Sequence, residues 1–240
     1  MKILIAVVSY NEKLNIGRTI LDLQENNFGY DIVLIDNGGL AKEIAEYIDN
    51  INDSIPTWNL LGFSTNSPSY IGNYIHKYKV LCLDKEIANW REHLGLVIGV
   101  GFPNRISDIS AFFINNPNLY FPNIIHPTAF VAKYISLGKG NIITPNVVIS
   151  TDAHIGSYNL FNWNVTIGHD TQIGECNVFN PGVNISGNII IGSRVFVGTG
   201  AQILQGLTIC DDTIVGAGAV VTKDITEPGT YVGVPARKIK

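Results

Sequence analysis

Charge is scarce in this 240-residue chain: Asp, Glu, Lys and Arg make up only 15% of it, against 46% hydrophobic residues. That balance excludes an intrinsically disordered chain, which needs the opposite ratio. Positive charge is shorter still. A formal net charge of −4 gives no electrostatic case for nucleic acid, whose phosphates demand a basic partner. Cysteine is also sparse, and Cys82, Cys176 and Cys210 are an odd, scattered set that fits neither a disulfide framework nor a metal-ligand spacing. No two histidines have ligand spacing, so no metal is expected. Apolar runs of membrane-spanning length are missing. The apolar opening Ile3–Val8 lacks a small-residue cleavage site and runs straight into Ser9-Tyr10-Asn11-Glu12, so it reads as a buried strand and not as a leader peptide. The cytoplasm is the expected compartment.

What the chain has in abundance is a period of six. From Ile124 onward it divides into six-residue blocks with no insertion or deletion, and every sixth residue from Ile125 to Val221 is Ile, Leu, Val or Phe. The following position is Gly at 138, 156, 168, 174, 192, 198 and 216. A helix needs apolar spacing near 3.6 and a flat strand needs 2, so neither alone satisfies the pattern. A coil of three short strands does. Each strand is one block long, and Gly, Asn and Asp accept the unusual dihedrals of the corners. Three blocks close one turn of a triangular prism. The second-position side chains then stack inward, and stability comes from turn packing on turn.

The first half alternates strands with helices. Ile3–Val8, Asp31–Asp36 and Leu94–Val100 read as buried strands; Leu14–Gln24, Leu40–Ile51, Glu86–Glu92 and Arg105–Asn115 read as helices. Such alternation argues a small parallel α/β unit. Pro117, Pro122 and neighbouring Asn residues punctuate the junction. The expected organisation is therefore an α/β, Rossmann-like domain over residues 1–120 and a left-handed parallel β-helix over residues 121–240.

The uninterrupted repeat, the Gly168-His169-Asp170 corner and the ending Val232-Gly233-Val234-Pro235-Ala236-Arg237 resemble the hexapeptide-repeat acyltransferases. The likeness is strongest to the branch with an N-terminal Rossmann-like domain, which includes sialic-acid O-acetyltransferases and the N-acetyltransferases of nucleotide-linked 4-amino sugars. The resemblance implies acetyl-CoA as co-substrate, His169 as general base supported by Asp170, and Asn162 on the substrate side. It implies cofactor contacts near Thr199 and Ala217. It implies that the nucleotide sugar is received at Gly38, Gly39 and Leu40, with further contacts at Thr65, Asn66 and Gly101. Three positions depart from the family pattern. Val178 stands where many relatives carry a second, cofactor-contacting His; Asp36-Asn37-Gly38-Gly39 replaces a loop that begins with Gly; and Thr65-Asn66 replaces an acidic pair. The opening Val8–Glu12, with Ile35-Asp36-Asn37-Gly38, resembles the start of inverting glycosyltransferases. No later Asp-x-Asp motif follows in an α/β context, so the segment reads as an extension and not as a second catalytic domain.

Acyl transfer from a thioester needs a base for the attacking group's proton and donors for the developing oxyanion. An imidazole suits the first task, since its reference pKa is about 6.5. At a coil corner the ring of His169 is expected to point outward, with Asp170 holding one of its nitrogens as the third group of a triad does. The bland alternative is a polar corner with no chemistry. Trp163 suits a subunit interface or a sugar equally, and Lys223 and Arg237 suit cofactor phosphates or plain solvation. Cys176 and Cys210 read as small packing residues. His76, His93, His126 and His154 occupy ordinary positions. Outward apolar residues such as Phe130, Tyr134 and Phe196 suggest a homotrimer closed through its faces. The functional expectation is acetyl transfer from acetyl-CoA to the amino group of a nucleotide-linked amino sugar, with sugar or sialic-acid O-acetylation as one alternative and a non-catalytic β-helix scaffold as another.

Overall fold

A computed structural model describes residues 30–240. The expected strand Ile3–Val8, the helix Leu14–Gln24 and the glycosyltransferase-like Val8–Glu12 lie outside the described residues.

Strand β1 (Tyr30–Ile35) is buried from Ile32 onward, as a strand covered on both faces must be. A turn at Asp36–Gly38 leads into α1 (Gly39–Ser54), whose buried Ala41, Ile44, Ala45, Tyr47 and Ile48 recur at helical spacing. β2 (Trp58–Thr65) lies parallel to β1. β3 (Tyr74–Ile75) pairs antiparallel with β4 (Tyr78–Leu83), and the short α2 (Asp84–Ile87) follows. β5 (Leu94–Ile98), α3 (Pro103–Phe113) and β6 (Leu119–Tyr120) complete the sheet, in the order β3-β4-β2-β1-β5-β6. The chain steps from β1 to β2 on one side and returns to β5 on the other. The crevice above the carboxyl ends of β1 and β5 is therefore a topological switch point, the place where open α/β sheets hold ligands. Gly99, just past β5, keeps α1 tight against it: a Cβ there would stand 2.6 Å from the Ala41 Cβ.

β2 and β4 have no counterpart in the sequence reading, and each carries a bulge. Leu61 falls between the partners of Ile32 and Val33, and Leu81 between those of Phe63 and Ser64. One extra residue interrupts the alternation that marks a strand. α2 is also shorter than the expected Glu86–Glu92, and α3 begins two residues earlier than Arg105 because Pro103 suits the first helical turn.

From Ile124 the chain winds as a left-handed parallel β-helix. Two-residue strands pair in parallel with the strand eighteen residues on, for example Leu160–Phe161 with Val178–Phe179, and they build three faces. The first face contains Leu160–Phe161, the second Thr166–Ile167 and the third Gln172–Ile173. Second-position side chains are buried from Leu137 to Val221, while Ile125 and Val131 are partly covered at the open end. The left-handed backbone conformation falls at Asn146, Asp152, Asn164, Asp170 and Asn188, with φ between 56° and 62° at the non-glycine corners that include them. The third-position glycines serve a different purpose from the one the sequence suggests. A Cβ on Gly156 would lie 2.6 Å from the Gly174 carbonyl oxygen, and one on Gly198 would lie 2.5 Å from the Ala217 nitrogen. Turns pack too closely there for any side chain.

Inside one corner runs a ladder of amides. Asn141, Asn159 and Asn177 are buried. Asn159 Nδ2 donates to Asn141 Oδ1 (3.1 Å) and to the Gly174 carbonyl (3.0 Å), while its Oδ1 accepts from the Asn177 N–H (2.9 Å). Each amide closes the hydrogen bonding of the turn beside it.

The outward residues of the first face, Ile124, Ile142, Leu160 and Val178, are buried in one cluster with Ile44, Ile48, Phe113 and Phe121. The α/β sheet and its helices thus cover one of the three faces of the prism. Phe196 packs against that shared core and is not the free apolar surface the sequence suggested, whereas Phe130 and Tyr134 are exposed.

Candidate active site

His169 and Asp170 follow the strand Thr166–Ile167 of the second face, at the corner leading to the third. Asp170 has a φ of 57°, which turns its carboxylate back toward the preceding ring. His169 Nδ1 lies 2.6 Å from Asp170 Oδ2, and both side chains are more than half exposed. With Nδ1–H donating to the carboxylate, Nε2 keeps its lone pair. Beside that nitrogen stands Gly187, one turn along the same corner: a Cβ there would come within 2.6 Å of Nε2 and 2.8 Å of Cε1. The missing side chain leaves the reactive edge of the imidazole open. Sequence reasoning missed Gly187, because only the eighteen-residue stacking relates it to His169. Lys223 occupies the same corner three turns from His169 and is exposed, about 14 Å away at the usual strand spacing.

Asn162, Thr199 and Ala217 line a different corner, between the first and second faces. Thr199 and Ala217 are exposed, and the Asn162 carboxamide accepts from the Trp163 N–H at 2.8 Å. Asn162 and His169 therefore stand at opposite edges of the second face within one chain, separated by at most about 23 Å of extended backbone. The ending Val232–Arg237 caps that face: Val220 N–H donates to the Gly233 carbonyl (3.0 Å), and Ala236 N–H donates to the Val220 carbonyl (2.8 Å). This leaves Arg237 exposed beside it. Val178 is removed from the candidates. Its side chain faces out of the coil, but onto the covered first face, and it is fully buried there.

The remaining candidates converge on the switch point. Gly38 caps α1, whose first residues are Gly39 and Leu40. A Cβ on Gly101, after β5, would be 3.7 Å from Leu40 Cδ2. Thr65, at the end of β2, donates weakly to Asn37 Oδ1 (3.5 Å), and exposed Asn66 follows it. The α1 N-terminus supplies free N–H groups to this crevice. A Cβ on Gly38 would stand 3.1 Å from Asp36 Oδ2, so the carboxylate lies over the turn. Asp84, at the end of β4, accepts from the buried Ser64 hydroxyl at 2.5 Å. Burial holds its carboxyl above the usual range; the Ser64 hydroxyl opposes that shift, Asp36 adds to it, and Arg105 opposes it. Arg105, in the first turn of α3, is a basic group near this crevice that the sequence reading passed over.

Residues 188–223 match the model of the bacterial transferase hexapeptide family, six repeats. That match lies wholly within the coil and covers only its last turns. Among solved structures, this chain is similar to PerB from Caulobacter crescentus, solved with CoA and GDP-perosamine (27% identity over 88% of this chain and 97% of that one, TM-score 0.78). It is also similar to a perosamine N-acetyltransferase from Caulobacter crescentus, solved as histidine variants with CoA and GDP-perosamine (26% and 25% identity over 88% of this chain and 97% of that one, TM-scores 0.79 and 0.78). WeeI from Acinetobacter baumannii AYE shows 25% identity over 88% and 100% of the two chains, with a TM-score of 0.78. The acetyltransferase domain of PglB from Neisseria gonorrhoeae FA1090, at 23% identity over 88% and 100% and a TM-score of 0.80, shares the fold. No curated protein matches the sequence of this chain. Among its described residues no helix is long and apolar enough to cross a membrane.

Proposed function

We propose that this chain moves an acetyl group from acetyl-CoA to the amino group of a nucleotide-linked amino sugar, with His169 as the base. The observation that carries the reading is the His169–Asp170 pair at 2.6 Å, with Nε2 opening onto the gap left by Gly187. Nε2 takes a proton from the amine as its nitrogen attacks the thioester carbonyl. The tetrahedral intermediate collapses with loss of the CoA thiolate, and the imidazolium returns the proton to that sulfur. Asp170 holds the tautomer and stabilises the transient charge. The likeness to PerB, solved with CoA and GDP-perosamine, supports both the donor and the class of acceptor.

In this reading labour is divided. Residues 1–120 receive the nucleotide at Gly38, Gly39, Leu40, Thr65, Asn66 and Gly101, and residues 121–240 carry out the transfer. Lys223 and Arg237 meet the phosphates of the donor, while Thr199 and Ala217 contact it through main chain. Asn162 stands across the second face from His169, so a homotrimer that sets His169 of one copy against the Asn162 edge of the next completes the site. Free thiols at Cys82, Cys176 and Cys210 suit a reducing cytoplasm. His169→Ala should lower kcat by roughly two to four orders of magnitude and leave acetyl-CoA binding unchanged. Turnover near the wild-type rate would end the assignment.

A further inference from the structure

One seam between the sheet and the coil is polar, and the proposed base and ligand contacts do not account for it; Trp163, which the sequence left between a subunit interface and a sugar, packs there within its own chain. α1 lies along the corner that carries His126, Thr144 and Asn162, and most of its contact with the coil is apolar, through Ile44 and Ile48 against the first face. Apolar contact is non-directional and does not by itself fix how far a helix slides along its partner. Three side chains supply the missing direction. Trp163, next to Asn162, donates its indole Nε1–H to the Tyr47 hydroxyl. The Tyr47 hydroxyl donates in turn to Glu43 Oε2 at 3.4 Å. Glu43 lies one turn inside α1 from the glycines at its N-terminus. Tyr47 is 6% exposed and stands edge-on to His126, 5.7 Å between ring centres. Its ring is therefore held, and its hydroxyl can occupy one position only. A tryptophan nitrogen only donates, and a tyrosine hydroxyl both accepts and donates, so the chain Trp163 to Tyr47 to Glu43 has a single direction of hydrogen bonding.

We propose that Tyr47 and Trp163 are positioning residues that fix the distance between the phosphate-binding end of α1 and the coil corner carrying Asn162, so that an acceptor anchored by its nucleotide reaches the transfer site at one set depth. The proposal rests on the nucleotide-linked acceptor described above. From Gly39 to Tyr47 the helix spans about 12 Å, so the strap joins the two binding regions through one rigid element. The part of the acceptor it governs is the sugar held at a distance from its diphosphate. A sugar without a nucleotide has no anchor at α1, and its transfer owes nothing to the strap.

The test compares Tyr47→Phe and Trp163→Phe, each of which keeps an aromatic ring and loses one hydrogen-bonding group. kcat/KM is measured for a nucleotide-linked amino sugar and for the same sugar without its nucleotide, alongside calorimetric binding of the nucleoside diphosphate alone. Each variant is expected to lose about tenfold in kcat/KM on the nucleotide-linked acceptor, the scale of one net hydrogen bond. The free sugar should change less than about twofold and the Kd of the nucleoside diphosphate should not move. The double variant should lose no more than either single one, because both break the same chain. Equal losses on both acceptors, or no loss on either, would overturn the proposal. Failure of the underlying reading shows elsewhere: wild-type enzyme that does not prefer the nucleotide-linked sugar rejects the acceptor class before any variant is made.

Discussion

Gly187→Ala tests the proposed base without altering it. The new methyl carbon would be placed 2.6 Å from His169 Nε2, 2.8 Å from Cε1 and 3.0 Å from Cδ2. Ordinary contact begins at about 3.4 Å, so the ring must withdraw by several tenths of an ångström. The backbone need not respond, because Gly187 is absent from the positive-φ positions and the half-exposed imidazole has solvent to move into. Withdrawal breaks the alignment of Nε2 with the incoming amine and strains the 2.6 Å contact to Asp170. A displacement approaching 1 Å at a reacting group costs up to about a hundredfold in rate. Steady-state kinetics with acetyl-CoA and an amino-sugar acceptor should show kcat reduced by about thirty- to a hundredfold, with thermal stability almost unchanged. A Gly187→Ala enzyme turning over at the wild-type rate would mean that Nε2 does not work where the geometry puts it. A large drop in melting temperature would mean that the gap at Gly187 is needed for folding.

Three further outcomes follow from the coil and its seam. Asn159→Ala removes three hydrogen bonds and strands the buried Asn177 N–H; it should cost about 2–5 kcal/mol in denaturant titration, and a loss below about 0.5 kcal/mol would show the ladder to be idle. Burial lowers the pKa of His126, so between its folded pKa and about 6.5 the unfolded chain binds the extra proton. Stability should therefore fall as pH drops below about 6.5, and His126→Asn should flatten that slope in melting curves. Tyr47, Asn50 and Thr128 surround the ring and bring no carboxylate to offset the effect. Sedimentation should find a trimer, and a fully active monomer would refute a site completed by a neighbouring copy.

The coil was almost entirely legible, because its inward positions repeat at fixed spacing and the burial of any one of them depends only on its neighbours eighteen residues away. The His169–Asp170 pair was legible for a similar reason, since adjacent residues at a corner must share it. β2 and β4 were not, because the bulges at Leu61 and Leu81 shift side chains from one face to the other part-way along each strand. Val178 could not be judged from its place in the repeat. Its accessibility depends on which face of the prism the α/β sheet covers, and that is settled by packing between segments far apart in the chain. Tyr47 and Gly187 escaped notice on the same ground. Nothing local marks a tyrosine on an amphipathic helix, or one glycine among many, until the coil brings Trp163 and His169 against them.

The eighteen-residue winding makes the corner between His169 and Lys223 a ruler with discrete graduations. Every intervening turn adds about 4.8 Å, and fractions of a turn are forbidden because they would rotate Lys223 onto another edge. On the proposed reading, in which Lys223 meets the donor's phosphates, a lineage of such coils changes the span between base and lysine only by gaining or losing whole turns. A deletion of eighteen residues between these two positions would bring them one graduation closer and leave every remaining corner in phase.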